Sequence, residues 1–524
     1  AAAACGVFAL ATLATAVEAK TLRWAGRGDP QTMDPYSQNE NLTNNVNALV
    51  YDTLVMRDRD LKIIPGLATS WEQVNPTTWR FKLRAGVKFH DGAPFTADDV
   101  LFSFQRAAED TSQIRNYANA VGKPRRIDDL TVEFVTNGPN PIMLEHLVTL
   151  MIMPKAWSEK NKAAKPLDFK NKEEMITARN ANGTGAYSLK SREPDVKTHL
   201  VKYAAWWGWK EKKFDGNVDE IVYTPITNDA TRLAALVAGN VDLINDPAPQ
   251  DVPRLQQTPG VKVIEGFEQR IVFIGMDQGR DELLYSSVKG KNPFKDKRVR
   301  EALYRAIDID AVQKRAMRGL SRNTGSLVAP AIPGYVPAMD ERLPFDLDGA
   351  KKLLADAGYK DGFAAQFNCP ADRYVNDTEI CRSIAAMLAR IGIEAKIKSM
   401  PWPDFARMLI NGPTSSFHLI AENSWDTQDM FTGTLMTRDN DKKQGFFNWA
   451  LWSNAEFDAT VNELRVTFDE AKRKTLFVKA LQIAKDNVHA VYLHQPMVTW
   501  GAKANVDAPI RADAVPTLEN IVVK

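Results

Sequence analysis

The side chains best suited to chemistry lie in FKLRAGVKFHDGAPFTADDV, residues 81–100, which contains His90-Asp91 and Asp98-Asp99. A histidine beside a carboxylate is a possible general base or metal ligand. A catalytic or metal site needs further functional side chains at a suitable spacing. The six histidines of the chain show no such spacing. They are His90, His146, His199, His418, His489 and His494.

The elements around this stretch give most of its polar residues a structural task. Alternation from Trp79 to Leu83 predicts a half-buried strand, and Val87 to Phe89 predicts a second short one. Thr96 with Asp99 three residues later predicts a capping box at the start of a helix. We therefore interpret the stretch as scaffold, in which only His90 has no assigned task.

Composition and charge narrow the class of function. The chain has 524 residues, of which 44% are hydrophobic and 25% charged, with a net charge of +2. This length exceeds a single core and predicts at least two lobes. The near balance of charges gives no sign of a nucleic-acid partner. Neither a G-x-S-x-G elbow nor an H-E-x-x-H helix occurs, which argues against a hydrolase.

The amino terminus has the pattern of an export signal. Residues 1–19, AAAACGVFALATLATAVEA, form an apolar run that ends in a small-x-small-like site, so we expect cleavage after Ala19. No other segment approaches the length of a membrane span. Cys369 and Cys381 then remain, either as a disulfide in an oxidising compartment or as two buried thiols.

The second half of the chain alternates helical and strand patterns. Residues 296–308 have one apolar helical face with Asp296 as N-cap, and residues 347–358 end at Gly358. Residues 231–244 and 379–398 each read as helix, glycine, strand, which is the unit of an α/β fold. Residues 60–200 are richer in strand patterns.

Six collinear segments resemble the family 5 solute-binding proteins, the extracytoplasmic receptors of peptide, oligopeptide and nickel ABC importers. They are PGLATSWE (65–72), WRFKLRAGVKFHDGAPFTADDVLFSF (79–104), NGTGAYSL (182–189), RLAALVAGNVDLI (232–244), NPFKDKRVREALYRAIDIDAV (292–312) and AKKLLADAGY (350–359). The resemblance runs from about residue 21 to the carboxyl terminus.

The resemblance implies a two-lobe α/β periplasmic-binding-protein fold that closes on its ligand about a hinge. The expected parts are lobe I (20–60, 190–270 and 495–524), a strand-rich subdomain of lobe I (61–189) and lobe II (275–490), with crossings near 267–277 and 489–498. Such a receptor needs no cofactor or metal and makes no bond in its ligand. We expect a monomer that delivers ligand to permease subunits in the inner membrane.

The resemblance also points to cleft residues. In peptide-binding members a tryptophan is followed three residues later by an aspartate that binds the peptide's α-ammonium group. Trp425 matches the tryptophan, but Gln428 stands at the second position, with Asp426 and Asp429 close by. Either aspartate could supply the missing carboxylate, or the pocket does not bind an amine. Trp402 matches a second cleft tryptophan, or is a core aromatic.

Weaker candidates for ligand contact either follow the first predicted strand or belong to aromatic runs. They are Gly28, Asp29, MDPY (33–36), WWGW (206–209) and FFNWALW (446–452). The leading hypothesis is a receptor for a peptide or peptide-like oligomer. A non-peptide ligand such as an oligosaccharide, an opine or a nickel complex is the alternative, and an extracytoplasmic hydrolase is a remote third.

Overall fold

The computed structural model describes residues 19–168, 175–211, 214–371, 373–410, 412, 414–423, 426–439, 444–513 and 517–524. Strands and helices alternate through these residues, and they form two large hydrophobic cores. One core consists mostly of residues that precede residue 270, and the other consists of residues that follow it. Of the predicted export signal, residues 1–18 lie outside the described residues.

The first half of the chain contains twelve of the described strands. In order the elements are β1 (Thr21–Gly26), α1 (Asn41–Val50), β2 (Val55–Arg57), β3 (Ile63–Pro65), β4 (Ala68–Asn75), β5 (Thr78–Leu83), α2 (Ala97–Ala107), α3 (Arg115–Val121), β6 (Lys123–Asp128), β7 (Thr131–Val135), α4 (Met143–Leu147), α5 (Lys155–Lys160), β8 (Tyr187–Glu193), β9 (Lys197–Lys202), β10 (Glu220–Pro225), α6 (Asp229–Ala238), β11 (Leu243–Asn245), α7 (Val252–Gln256) and β12 (Val261–Phe267).

The second half is richer in helix. Its elements are β13 (Ile271–Met276), α8 (Lys297–Ala306), α9 (Ile309–Ala311), β14 (Ser321–Asn323), α10 (Leu347–Asp356), β15 (Phe363–Pro370), α11 (Asp377–Ala389), β16 (Ile393–Met400), α12 (Trp402–Ile410), β17 (Phe417–Glu422), α13 (Thr427–Met430), α14 (Ala455–Leu464), α15 (Glu470–Asp486), β18 (Val491–Lys503), β19 (Val506–Asp507) and β20 (Val522–Val523).

The strand β18 joins two half-sheets. Its residues 497–503 pair with β12 and its residues 500–502 with β11, while residues 491–496 pair with β13 and β14. The order β8-β9-β10-β1-β11 continues on one side of β18, and β13-β17-β15-β16 continues on the other. Each half has its own hydrophobic core. The predicted two-lobe α/β fold is confirmed.

The strand-rich region contains a separate antiparallel sheet in the order β4-β5-β7-β6. Trp79, Phe81 and Leu83 are buried in β5, as their alternation predicts. The second short strand predicted at Val87 to Phe89 is wrong. Only an isolated bridge between Lys88 and Pro94 forms there, because turns on both sides leave no room for a ladder.

The polar cluster of residues 90–99 is scaffold, and His90 also has a structural task. Asp99 accepts hydrogen bonds from the backbone N–H groups of Thr96 and Lys155, both at 2.9 Å, and so fixes the start of α2. His90 Nε2 lies 3.0 Å from the carbonyl oxygen of Gly185. Burial lowers the pKa of His90 to about 4, so the ring is neutral and donates to that carbonyl.

Helix ends follow the predicted capping chemistry. The Asp296 carboxylate accepts from the N–H of Arg298 and begins α8 at Lys297. Gly239 ends α6 with a φ of +82°, a backbone conformation that glycine adopts without strain. Gly358, predicted at the C-cap position, lies one residue beyond the C-cap of α10, which is Ala357.

The two cysteines of lobe II form a disulfide, which decides between the two alternatives left open by the sequence. Cys369 near the end of β15 is bonded to Cys381 in α11. Among the described helices, none is long and apolar enough to cross a membrane. Within the same residues, no group of three or more His, Cys, Asp or Glu side chains is arranged to hold a metal ion.

Candidate ligand-binding site

Parallel strands end at a common edge in each lobe. The strands β10 and β11 both run parallel to β1, and β16 and β17 both run parallel to β15. Ligands of open α/β sheets bind outside the carboxyl ends of such strands. The side chains that follow these ends are therefore the first candidates for ligand contact, and we expect them to face the cleft between the two lobes.

Two chain segments cross from lobe to lobe at the base of this cleft. One is residues 268–270, between β12 and β13, and the other is the middle of β18. Both lie within the ranges named from the sequence. Glu268 and Arg270 form a half-buried ion pair in the first crossing, with Oε1 and Nε 2.8 Å apart.

Lobe II presents a cation held by an aromatic ring. The guanidinium of Arg373 lies over the ring of Trp402, 4.7 Å from its centroid, and Tyr374 contacts the same ring from another side. Among the described residues, none accepts a hydrogen bond from the Arg373 guanidinium. Burial and the charge of Arg270 lower the pKa of Arg373. The arrangement suits an anionic group on a ligand.

The carboxyl end of β17 carries the half-buried Glu422, which pairs in register with Ile271. Burial raises the pKa of Glu422 to about 7, against the opposing effects of the Thr434 hydroxyl and the Arg270 charge. Burial, with smaller contributions from the charges of Asp429 and Glu422, raises the pKa of Tyr117, a residue of α3.

Lobe I contributes a second carboxylate to the cleft. Asp246 directly follows β11 and has a φ of +47°, a strained conformation for a residue with a side chain. Burial and the charge of Glu268 raise the pKa of Asp246 to about 6. Its side chain remains accessible to solvent and has no described hydrogen-bond partner. Such a carboxylate is available to a ligand.

The residues predicted from the tryptophan motif have different surroundings. Trp425 lies outside the described residues. Asp426 is buried, and its Oδ1 accepts from the N–H of Gln428 at 2.7 Å as the N-cap of α13. Burial, Asp429 and Glu145 raise the pKa of Asp426 to about 7. The side-chain oxygen of Gln428 accepts from Arg473 at 2.9 Å.

Asp429 forms a contact between the lobes. Its Oδ2 lies 3.1 Å from Nε2 of His146 in α4, and its side chain is 40% exposed. Burial alone would lower the pKa of His146, but Asp429, Asp426 and Glu145 raise it above its usual value. The structure thus brings Asp429, Trp402 and Asp426 to the cleft side of lobe II, with different degrees of access.

The glycine and aspartate predicted after β1 support lobe I. The carbonyl oxygen of Gly28 accepts from the hydroxyl of Tyr223. Asp29 is buried in an ion pair with Arg192 at 2.8 Å and also accepts from the N–H of Asp195 at 3.0 Å. These contacts hold the segment after β1 in place.

Two other sequence candidates are packing elements of lobe I. The indoles of Trp206 and Trp207 both donate to Asp52, within the lobe I core. In the MDPY segment, Asp34 is fully buried in an ion pair with Arg106. Phe446 and Phe447, from the second aromatic run, are 40% and 44% exposed. The tryptophan run is therefore not a stacking surface for ligand.

The sequence reasoning missed Arg373, Glu422 and Asp246. Their shared signal is position, because each follows or ends a strand that runs parallel to at least one neighbouring strand. A charged residue at such a place is a candidate for ligand contact, whether or not a motif marks it. Only the strand pairing, which the sequence alone did not give, shows that the three belong to one cleft.

Residues 62–457 match the sequence profile of the bacterial extracellular solute-binding proteins, family 5 Middle. The chain belongs to this family. Family 5 proteins are the substrate-binding proteins of ABC importers, and they are binding proteins that work outside the cytoplasm. The resemblance that the sequence segments carry is thus confirmed.

Individual family 5 relatives cover nearly the whole chain. The dipeptide-binding protein of Escherichia coli K12 is 26% identical over 532 residues, 96% of this chain and 92% of the relative. The Helicobacter pylori periplasmic binding protein DppA, solved with the peptide STSA, superposes with a TM-score of 0.76 at 23% identity, covering 96% of this chain and 98% of its own. AgaA of A. tumefacien R10, solved with agropinic acid, gives a TM-score of 0.75 at 22% identity, over 96% and 99%. The structural matches show the fold.

Proposed function

We propose that this protein captures a short peptide or peptide-like oligomer between its lobes and delivers it, unchanged, to ABC permease subunits in the inner membrane. It acts in the periplasm as a monomer, after cleavage behind Ala19. In this proposal, residues 20–60, 190–270 and 495–524 form lobe I, residues 61–189 form its subdomain, and residues 275–490 form lobe II.

One observation carries the proposal: the cleft contains unpaired charges of both signs. Arg373 has no described ion pair, and the side chain of Asp246 has no described hydrogen-bond partner. Unpaired charges inside a closed cleft are unfavourable unless a ligand compensates them. A peptide with free termini carries one cation and one anion, and so satisfies both kinds of group.

The other residues predicted to lie at the ligand site each have a role in this proposal. Trp402 holds the guanidinium that binds the ligand's carboxylate, and Trp425 and Asp429 contact the ligand from lobe II. Asp426 and Gln428 hold α13 in position. Gly28 and Asp29 shape the lobe I wall of the cleft.

A second candidate ligand is a carboxylated non-peptide such as an opine. The observation in its favour is that the position of the amine-binding aspartate holds Gln428, whose side-chain oxygen is occupied by Arg473. Arg373 would bind the carboxylate of either ligand. The AgaA similarity adds a relative with a non-peptide ligand.

Native mass spectrometry tests the proposal on protein purified without refolding, since a clamp that buries its ligand retains it. A mass excess released by denaturation should fragment as one peptide or a family of peptides. Calorimetry with a recovered peptide should show an Arg373→Gln variant weakened at least about fiftyfold. Arg390→Gln, a surface arginine of the same lobe, is the matched control.

Small-angle scattering tests the mechanism on the same material. Adding the recovered peptide to ligand-free protein should reduce the radius of gyration, because the lobes rotate about residues 268–270 and β18. Recovery of an opine or a sugar would contradict peptide capture. Identical scattering with and without bound peptide would contradict lobe closure.

A further inference from the structure

Two contacts from one part of lobe II reach lobe I. In the first, Asp429 Oδ2 lies 3.1 Å from Nε2 of His146, a residue 283 positions away in the chain. In the second, Phe468, from the loop between α14 and α15, packs against the hydrophobic core of lobe I. Because each contact joins residues of different lobes, both exist only while the lobes lie close together.

The lobe II partners of these contacts belong to one connected unit. The guanidinium of Arg473 donates to the side-chain oxygen of Gln428 at 2.9 Å and to the carbonyl oxygen of Thr467 at 3.1 Å. Arg473 therefore ties α13, which carries Asp429, to the loop that carries Phe468. We expect the polar contact and the apolar contact to form and break together as the lobes rotate.

His146 is held in lobe I by packing on several sides. It lies in α4, whose buried apolar residues belong to the lobe I core. The ring of Tyr117 in α3 lies 5.9 Å from the imidazole, centroid to centroid, and Nδ2 of Asn140 lies 3.4 Å from Nδ1. Since that amide nitrogen can only donate, Nδ1 of the neutral ring accepts, and Nε2–H donates to Asp429. Protonation gives up the long contact with Asn140 and turns the bond to Asp429 into a charged one.

The charged groups around His146 favour its protonated form. Asp429 and Asp426 face it from α13, while Glu145, its neighbour in α4, is itself paired with Arg57. Burial acts to lower the pKa of His146, but the three carboxylates outweigh burial and raise that pKa above its ordinary value. Two of these carboxylates belong to the opposite lobe, so the position of the lobes governs the proton affinity of the ring.

We propose that the pair of His146 and Asp429, with Phe468, is an inter-lobe latch that favours closure of the empty receptor more strongly as the pH falls. Rotation about the crossings removes the lobe II carboxylates from His146, so the open form binds the proton less tightly. The advantage of the closed form is complete below the ordinary pKa of histidine, about 6.5. It is lost as the pH rises through the raised pKa. The inference rests on the proposed lobe closure, but not on the identity of the ligand.

A second group beside the latch titrates near neutral pH and must be separated from His146. Burial, with the charges of Asp429 and Glu145, raises the pKa of Asp426 to about 7. Asp426 caps α13 within lobe II. Replacing His146 leaves this carboxylate in place, so a pH response that survives His146→Gln belongs to Asp426.

Histidine NMR on ligand-free protein tests whether the pair forms in solution. Four other rings stay neutral between about pH 5.5 and pH 9, because burial lowers their pKa values to about 4 (His90, His418) or about 3 (His489, His494). The resonance of His146, assigned by its loss in His146→Gln, should titrate above the ordinary value. Asp429→Asn should lower the pKa of His146, because it removes the nearest negative charge.

Single-molecule energy transfer between one dye on each lobe measures closure of the same empty protein. The ratio of closed to open molecules in wild type should rise about two- to fivefold from about pH 9 to about pH 6, as a partly exposed ion pair allows. It should not change with pH in His146→Gln or Asp429→Asn. His199→Gln is the matched control and should respond like wild type, since Nε2 of His199 lies 3.0 Å from Glu220 within lobe I. Phe468→Ala should lower the ratio at both pH values.

Each contrary result overturns the latch. An unchanged pKa of His146 in Asp429→Asn would show that the pair does not form in solution. A wild-type ratio that is equal at both pH values, or a pH response that persists in Asp429→Asn, would show that the pair does not control closure. If the buried His146→Gln variant fails to fold, Asp429→Asn still decides, because its side chain is 40% exposed.

The recovered peptide, added to the same labelled protein, separates the latch from lobe closure itself. Closure by the peptide without a pH response of the empty protein refutes only the latch. No change of the energy transfer with bound peptide contradicts the proposed lobe closure.

Discussion

Breaking the disulfide between Cys369 and Cys381 should destabilise lobe II and loosen the loop that carries Arg373. The bond closes a loop with a sequence separation of 12 residues, between the end of β15 and α11. In the chain-entropy model, a loop of this size contributes about 3 kcal/mol to the free energy of unfolding at 25 °C. The same loop contains Tyr374, whose hydroxyl accepts from the N–H of Ala421 at 3.0 Å.

A local measurement suits this prediction, since the two lobes have separate cores. Hydrogen exchange should be compared for oxidised wild type, reduced wild type and a Cys369→Ala/Cys381→Ala variant. Amides of β15 and α11 that exchange only when lobe II opens should exchange about a hundredfold faster without the bond. Amides of β5 in lobe I should not change.

The variant also provides the control for the reductant, which should leave its exchange rates unaltered. Ligand affinity should fall about fivefold on reduction, because binding must then order the loop around Arg373. The contrary result is amide exchange rates of β15 and α11 that stay within threefold of oxidised wild type in both the reduced protein and the variant. That result would show that the disulfide does not constrain lobe II.

Three other predictions concern the cleft and the scaffold. A double-mutant cycle of His146→Gln and Asp429→Asn, measured by ligand calorimetry, should give a coupling of about 1 kcal/mol or less at about pH 6. The raised pKa of His146 means that the pair is charged only below that pKa, so the coupling should vanish near pH 9; equal coupling at both would contradict it. Trp402→Leu should weaken ligand binding about tenfold through loss of the cation–π support, and an unchanged affinity would remove Trp402 from the site. His90→Ala and Thr96→Ala should each cost about 1 kcal/mol in urea unfolding of lobe I with ligand affinity unchanged, whereas a large affinity loss in His90→Ala would give that residue a role in binding.

Local rules were sufficient for much of the fold. Asp296 and Gly239 delimit their helices where capping chemistry predicts, because the bonds involved span only a few residues. The missing strand at Val87 to Phe89 marks the limit of this reasoning. A strand forms only if a partner edge is available, and the turn geometry around residues 86–92 permits a single bridge.

The candidate site was harder to predict because it depends on contacts between distant residues. From sequence, Asp426 and Asp429 were alternative carboxylates on either side of Gln428, which stands at the motif position. Their availability is decided by Arg473, 45 residues from Gln428, and by His146, 283 residues from Asp429. Such long-range partners leave no periodic signal in a single sequence. The motif therefore directed attention to this part of lobe II but did not show which of its polar side chains already have partners.

The unpaired charges of the cleft also bear on how the receptor avoids closing without ligand. Loss of hydration raises the pKa of Glu422, and together with the charge of Glu268 it raises the pKa of Asp246. Loss of hydration also lowers the pKa of Arg373. We expect closure without a ligand to dehydrate these charges further at a cost in free energy, which opening of the lobes removes. A ligand with complementary charges offsets the same costs, so it binds more tightly to the closed form than to the open form. Only such a difference in affinity between two states can shift their populations. We therefore expect the groups proposed to recognise the ligand also to disfavour closure of the empty receptor.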